Sequence, residues 1–159
     1  MFKLKPFHIN DAKSILSWIK NEEEFIRWSA GRFKDYPIST DELITFYKSQ
    51  ENTEIFVAED DNFIIGQIVF IRESKEKIKL GMIIIDSSKR GKGYAKKMLN
   101  LAKTKAKEMG AKLVYLTVFE DNLSAIKCYE SIGFKNIGCE KNLIINNKTY
   151  PVFDMGTEL

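Results

Sequence analysis

The stretch Arg90-Gly91-Lys92-Gly93-Tyr94-Ala95 carries the sharpest chemical signal in the chain. Two glycines permit backbone paths and close approaches that a β-carbon blocks, and the helical pattern after them offers unpaired N–H groups at the positive end of its dipole. A pyrophosphate suits that combination, although a solvated turn would carry the same residues. It is not a Walker A loop, because Lys92 is followed by glycine and not by Ser or Thr. It is also a poor dinucleotide fingerprint, since the third small position falls on Lys96 and three strand-like runs come earlier. The second constellation runs from Asn122 to Phe134. Asn122 is a good helix N-cap, and Tyr129, two turns on, lies on nearly the same side, so both can face one ligand. A phenol of pKa near 10 can serve a departing thiolate whose conjugate acid has a pKa near 8.5, which suits a general acid in thioester chemistry. A cap with a packed tyrosine is the plainer reading. Cys128 lacks a histidine partner and points about 100° away from Tyr129 on the helix, so it is a poor nucleophile.

The elements that must hold these residues emerge from periodicity. Phe2 to Ile9 alternates as a strand, and Asn10 stands where a cap would open an amphipathic helix through Ala12, Ile15, Leu16 and Ile19. A further helical turn is expected around Phe25 to Trp28, then a loop to Pro37, then a helix opened by the capping box Ser39-Thr40-Asp41-Glu42; two helices thus come after the first strand. Glu54 to Glu59, Phe63 to Arg72 and Lys77 to Asp86 read as an antiparallel meander. Ala95, Met98, Leu99, Ala102, Ala106 and Met109 share one helical face and lysines the other, with Gly110 as the stop. Lys112 to Phe119 reads as a buried strand, Asn122 to Ser131 as a short helix, and Phe134 to Ile145 with Thr149 to Met155 as a closing hairpin. The order β-α-α-β-β-β-α-β-α-β-β describes one mixed α/β unit over residues 1–159, with no repeat or linker.

Composition narrows the classes. The chain of 159 residues is 44% hydrophobic and 30% charged, with 9 glycines and 3 prolines, which excludes disordered and collagen-like sequences. No apolar run approaches a membrane span, and Met1 to Pro6 offers no signal-peptide core, so a cytoplasmic location without membrane association is expected. Two cysteines and a single histidine leave neither a disulfide framework nor a metal site nor a Ser-His triad. The net charge of +3 is uneven: Lys89 to Lys112 holds nine Lys/Arg against Glu108 alone. That asymmetry points to a local anion site more than to a nucleic-acid surface, and the lysines beyond Lys96 read as a solvated helix face.

Together these segments resemble the GNAT superfamily, the GCN5-related N-acetyltransferases. Its signature Gln/Arg-x-x-Gly-x-Gly/Ala is met by Arg90, Gly93 and Ala95, and its later Asn…Ala…Tyr-Glu…Gly-Phe pattern by Asn122, Ala125, Tyr129, Glu130, Gly133 and Phe134. The resemblance is close from Lys77 to Gly138 and rests on element order before that. It implies a GNAT-like fold: a mixed, mostly antiparallel sheet of about seven strands, flanked by about four helices and splayed between the strands ending at Asp86 and Phe119. It further implies acetyl-CoA as co-substrate, with no metal. Backbone groups of Ile83, Ile84 and Ile85 would meet the pantetheine, and the amides of Arg90, Gly91, Lys92, Gly93, Tyr94, Ala95 and Lys96 the pyrophosphate. Asn122 would contact the cofactor arm and Tyr129 the thioester sulfur, as the catalytic acid. The isoleucine run, taken alone, is a buried strand.

Two family positions that often hold a glutamate are Lys79 and Thr117 here, so no general base is carried over. An α-amine of pKa near 7.7–8.0 is more easily served without a base than a lysine near 10.4. The expectation is therefore direct acetyl transfer to a primary amine, a peptide α-amine or a small molecule, by a monomer or homodimer that does not bind nucleic acid. A non-catalytic acyl-CoA sensor, or a basic nucleic-acid-binding module, is the alternative. The acids Glu22-Glu23-Glu24, beside Trp18, Phe25 and Trp28, could attract a polyamine or aminoglycoside or, more simply, form a solvated helix end above core aromatics.

Overall fold

Strands separated by short polar connectors pair with their sequence neighbours, and the helices fill the two faces this leaves. The computed structural model describes Met1 to Leu159. Its elements are β1 (Lys3–Pro6), a 3-10 turn (Ile9–Asp11), α1 (Ala12–Ser17), α2 (Glu22–Ser29), α3 (Thr40–Ser49), β2 (Thr53–Asp60), β3 (Phe63–Arg72), β4 (Lys77–Ile85), a 3-10 turn (Ser87–Lys89), α4 (Tyr94–Glu108), β5 (Leu113–Phe119), α5 (Leu123–Ser131), β6 (Lys135–Ile145) and β7 (Lys148–Glu158). One seven-stranded sheet has the order β1-β2-β3-β4-β5-β7-β6. All neighbours are antiparallel except β4 and β5, which α4 joins as a parallel crossover.

The two sheet faces build two cores. On one, Ile78, Leu80, Leu116 and Val118 meet Met98, Leu99, Ala102 and Ala106 of α4, and α5 packs beside them. On the other, Val57, Val69, Met82 and Ile84 meet Ile15, Trp18, Phe25, Trp28 and Leu43 from α1 to α3. Each fully buried Val, Leu, Ile, Phe or Met among them contributes about 1.5–3 kcal/mol.

Three N-terminal expectations need correction. The first strand stops at Pro6, and His8, not Asn10, caps the 3-10 turn that leads into α1, its Nδ1 accepting from the Asn10 amide at 3.1 Å. The turn expected at Phe25 to Trp28 is a full helix, so three helices precede β2 and the molecule has five. Asn21 opens it by accepting from the Glu24 amide at 2.9 Å, Glu22 to Glu24 occupy the dipole's positive end, and Ala30 in the left-handed region ends it. A run of three acids masks this helix in a hydrophobic pattern, because its buried stripe is only two turns long.

Candidate active site

Pairing between β4 and β5 runs from Lys77 with Leu113 to Leu80 with Leu116 and then stops. Beyond that point the strands part around a cleft of about 640 Å³. Ile83, Ile84 and Ile85 form one wall, and Thr117, Val118 and Phe119 the other. Ala95, Asn122, Ala125 and Tyr129 border it from the α4–α5 face, while Arg27, Trp28, Arg32 and Lys79 border it from the face of α1 to α3. The cleft therefore opens on both faces of the sheet.

A bulge at Met82, whose φ of 45° lies in the left-handed region, parts the strands. A non-glycine residue there costs about 1–3 kcal/mol and persists only where its surroundings hold it. Two buried donors do so: Trp28 Nε1 and Gln67 Nε2 both donate to the Met82 carbonyl, at 3.1 and 3.0 Å. Gln67, fully buried, in turn accepts from the Tyr47 hydroxyl at 2.5 Å. Because a trans peptide sets C=O and N–H on opposite sides, a Met82 carbonyl drawn to these donors turns the Ile83 N–H the other way, toward the splay. Further along, Asp86 N–H donates to the Ile65 carbonyl at 2.8 Å, so strand alternation directs the Ile84 backbone into the sheet and the Ile85 backbone away from it. The Ile85 carbonyl is occupied, accepting from Arg90 Nε at 3.2 Å.

Between the lining residues Arg90 and Ala95 the chain passes through Gly91 and Gly93 with φ of 77° and 83°. No atom lies within 4 Å of where a β-carbon would stand at either, so the loop leaves open space before the first turn of α4. The Arg90 side chain does not face that space. Its guanidinium donates to Glu24 Oε1 at 3.0 Å and to the Trp18 carbonyl at 3.2 Å, fastening the loop to α1 and α2. Gly91, Lys92, Gly93, Tyr94 and Lys96 stand outside the cleft lining, and Tyr94 packs on Phe2 with ring centroids 6.0 Å apart.

Asn122 caps α5 by accepting from the Ala125 amide at 3.2 Å, which leaves its amide nitrogen free. Tyr129 lies two turns on, tilted against Phe134, with burial and then the neighbouring Cys128 holding its phenol above the usual range. Burial likewise raises the Cys128 thiol.

The other face gathers charge that sequence spacing does not announce. Arg27 is held by Asp121 through two bonds of 2.7 and 2.8 Å and by Glu23 at 3.0 Å, over the rings of Phe119 and Tyr150. Glu23 also accepts from Tyr150 and Lys148. Arg32 reaches over Gly81, where a β-carbon would lie 3.5 Å from its Nη2. Lys79 stands two residues earlier on β4, its ammonium held below the usual lysine range by burial and then by Arg32. Lys141 and Leu143 border the cleft from β6. Opposite Thr117 on β7 stands Asp154, whose Oδ1 accepts from Thr117 Oγ1 at 2.7 Å. The absence of a carboxylate at positions 79 and 117 thus does not leave this face without one. Arg32, Lys141 and Asp154 escape the sequence reading because a loop residue and two strand residues carry no spacing relative to the motifs; only the register of β7 on β5 could have found Asp154.

A family model described as the acetyltransferase (GNAT) family matches residues 15–134. The chain belongs to the GNAT family. Among similar proteins, human N-acetyltransferase 8B is 26% identical over 114 residues, 67% of this chain and 50% of its own. The spermine/spermidine N(1)-acetyltransferase of Bacillus subtilis is 38% identical over 60 residues, 37% of this chain and 40% of its own. This GNAT chain therefore spans about half or less of the length of those relatives. Yeast N-alpha-acetyltransferase 30 is 29% identical over 128 residues, 73% of this chain and 72% of its own. In fold, the GNAT chain superposes on a spermidine N-acetyltransferase from Vibrio cholerae, solved with CoA and spermine, with a TM-score of 0.81 at 24% identity, covering 99% and 95% of the two chains. Its open seven-stranded sheet with five helices is the GNAT architecture. No helix is long and apolar enough to cross a membrane.

Proposed function

We propose that this GNAT chain transfers acetyl from acetyl-CoA directly to a primary amine. The observation that carries the reading is the two-faced cleft: backbone donors and a free phenol lie on one side, and an open, charged surface on the other, so two substrates can meet in the splay. Acetyl-CoA would lie between β4 and β5, its pyrophosphate on the amides of Arg90 to Lys96 and its pantetheine along Ile83 to Ile85 and Asn122.

The amine, once neutral, attacks the thioester carbon; a C–N bond forms and the carbonyl pair moves to oxygen, where the Ile83 N–H stabilises it. Collapse breaks the C–S bond, and the thiolate takes a proton from Tyr129. Desolvation weakens the phenol as an acid, but it raises the proton affinity of a thiolate in the same cleft as well, so the transfer remains matched. Asp154 is the carboxylate on the acceptor face and receives the proton the amine sheds. The alternative of a CoA sensor shares the cleft and differs in turnover.

The test is a thermal shift with acetyl-CoA, CoA and ATP at equal concentration, followed by free-thiol release with an amine panel. Stabilisation by the two CoA species alone, of about 2.7 kcal/mol at a hundred times Kd, is expected. No shift at saturation would overturn the reading, and a shift without thiol release from any amine would leave the sensor in its place.

A further inference from the structure

Three cations on the acceptor side of the cleft, Arg32, Lys79 and Lys141, have no acidic partner within 4 Å, whereas the other two arginines there are fully engaged, Arg27 by Asp121 and Glu23 and Arg90 by Glu24. Arg32 is half-buried; Nη1 and its own amide both use the Ser29 carbonyl, and Nη2 points over side-chain-free Gly81. Lys79 is half-buried on the same face of β4, near enough for each charge to raise the cost of the other. Of the acids facing them, Asp154 is hydrogen-bonded to Thr117, and Glu73 is tied to Tyr115 at 2.6 Å and Lys77 at 3.7 Å. Partly desolvated cations without counterions are costly, and an Arg fork offers paired donors that match a carboxylate.

We propose that the acceptor is a small amine bearing its own carboxylate, an amino acid, with the carboxylate on Arg32, Lys79 and Lys141 and the amine toward Asp154. This rests on the acetyl-transfer reading and narrows its acceptor. It also disfavours a polyamine: the surplus of free positive charge repels an oligocation, and of the acids of α2 Glu23 is spent on Arg27, Lys148 and Tyr150 and Glu24 on Arg90, while Glu22 lies outside the cleft lining.

The experiment measures thiol release by the full chain at saturating acetyl-CoA with the common amino acids, each paired with its carboxamide, beside spermidine and a neutral peptide with a free N-terminus. The preferred amino acid is expected to exceed its carboxamide at least tenfold in kcat/KM, although the amide's amine has the lower pKa. Arg32→Gln, and the exposed and therefore structurally safer Lys141→Gln, are expected to raise its KM about tenfold or more while the KM for acetyl-CoA stays within twofold. Turnover of the carboxamide, spermidine or the peptide equal to or above every amino acid overturns the proposal. So does the absence of turnover with any amino acid, or an unchanged KM in folded Lys141→Gln. Loss of the acetyl-CoA thermal shift in the native chain would instead overturn the function itself.

Discussion

Tyr129 brings a desolvated phenol to the cleft, and its raised pKa keeps the proton in place across the working range. Between pH 6 and pH 9 the rate is therefore expected to rise as the acceptor amine loses its proton, with no falling limb from Tyr129; a pH–rate profile checks this. Tyr129→Phe should lower kcat about a hundredfold or more while the Kd for CoA stays nearly constant, as steady-state rates and calorimetry would show. Gln67 acts one step further away. It bridges the Tyr47 hydroxyl and the Met82 carbonyl inside the core, so Gln67→Leu leaves the buried Tyr47 hydroxyl without its acceptor and the Met82 carbonyl with Trp28 alone. The expected cost is about 1–3 kcal/mol for the unsatisfied hydroxyl, read by urea unfolding, together with a lower kcat as the bulge relaxes.

At the scale of elements, β3 and β4 must lie close under α4 for the loop of Arg90 to Lys96 to sit at the cleft. Gly66 makes that contact possible: a β-carbon there would come within 2.8 Å of Met98 Sδ, 2.9 Å of Ile85 Cδ1 and 3.1 Å of the Ile84 carbonyl. Gly66→Ala is expected to destabilise the fold by about 1–3 kcal/mol and to weaken CoA binding through displacement of Ile84 and Ile85, both measurable on one sample by unfolding with and without ligand. The α4 helix is legible in the sequence because its apolar period of 3.6 is long and uninterrupted, and β4 because it ends in a continuous apolar run. The helix at Glu22 to Ser29 is shorter and its first turn wholly acidic, so only Phe25, Ile26 and Trp28 report it.

Across the whole molecule, phenols are buried in both layers, and Tyr47 ties α3 to β3 through Gln67. Burial raises the pKa of Tyr47, Tyr115 and Tyr129, and Glu73 adds to the shift at Tyr115. The unfolded chain ionises these phenols near pH 10, and the folded chain holds their protons beyond that. Their contribution is thus fully present below about pH 10 and is lost as pH rises from there toward the folded-state values, since the unfolded state then binds fewer protons. Urea midpoints measured from pH 8 to pH 11.5 should fall steeply above pH 10, and Tyr47→Phe, which loses the Gln67 bond but not the ring, should flatten that fall.

The residues themselves determine the Gly-x-Gly loop, the asparagine cap and Tyr129, and the strand–helix alternation that spaces them, because each depends on contacts within a few residues of chain. Glycine at 91 and 93, the cap at 122 and the period of α4 are local facts. The tertiary structure decides where β4 and β5 part, that the Met82 carbonyl is taken by Trp28 and Gln67, that Arg32, Lys79 and Lys141 border one cleft, and that Asp154 stands beside it on the cleft-lining Thr117. Those residues lie on a loop and three strands, up to 122 positions apart in a chain of 159. Only register and side-chain packing bring them together, and a charge on a strand carries no mark of the partner it lacks until the sheet has formed.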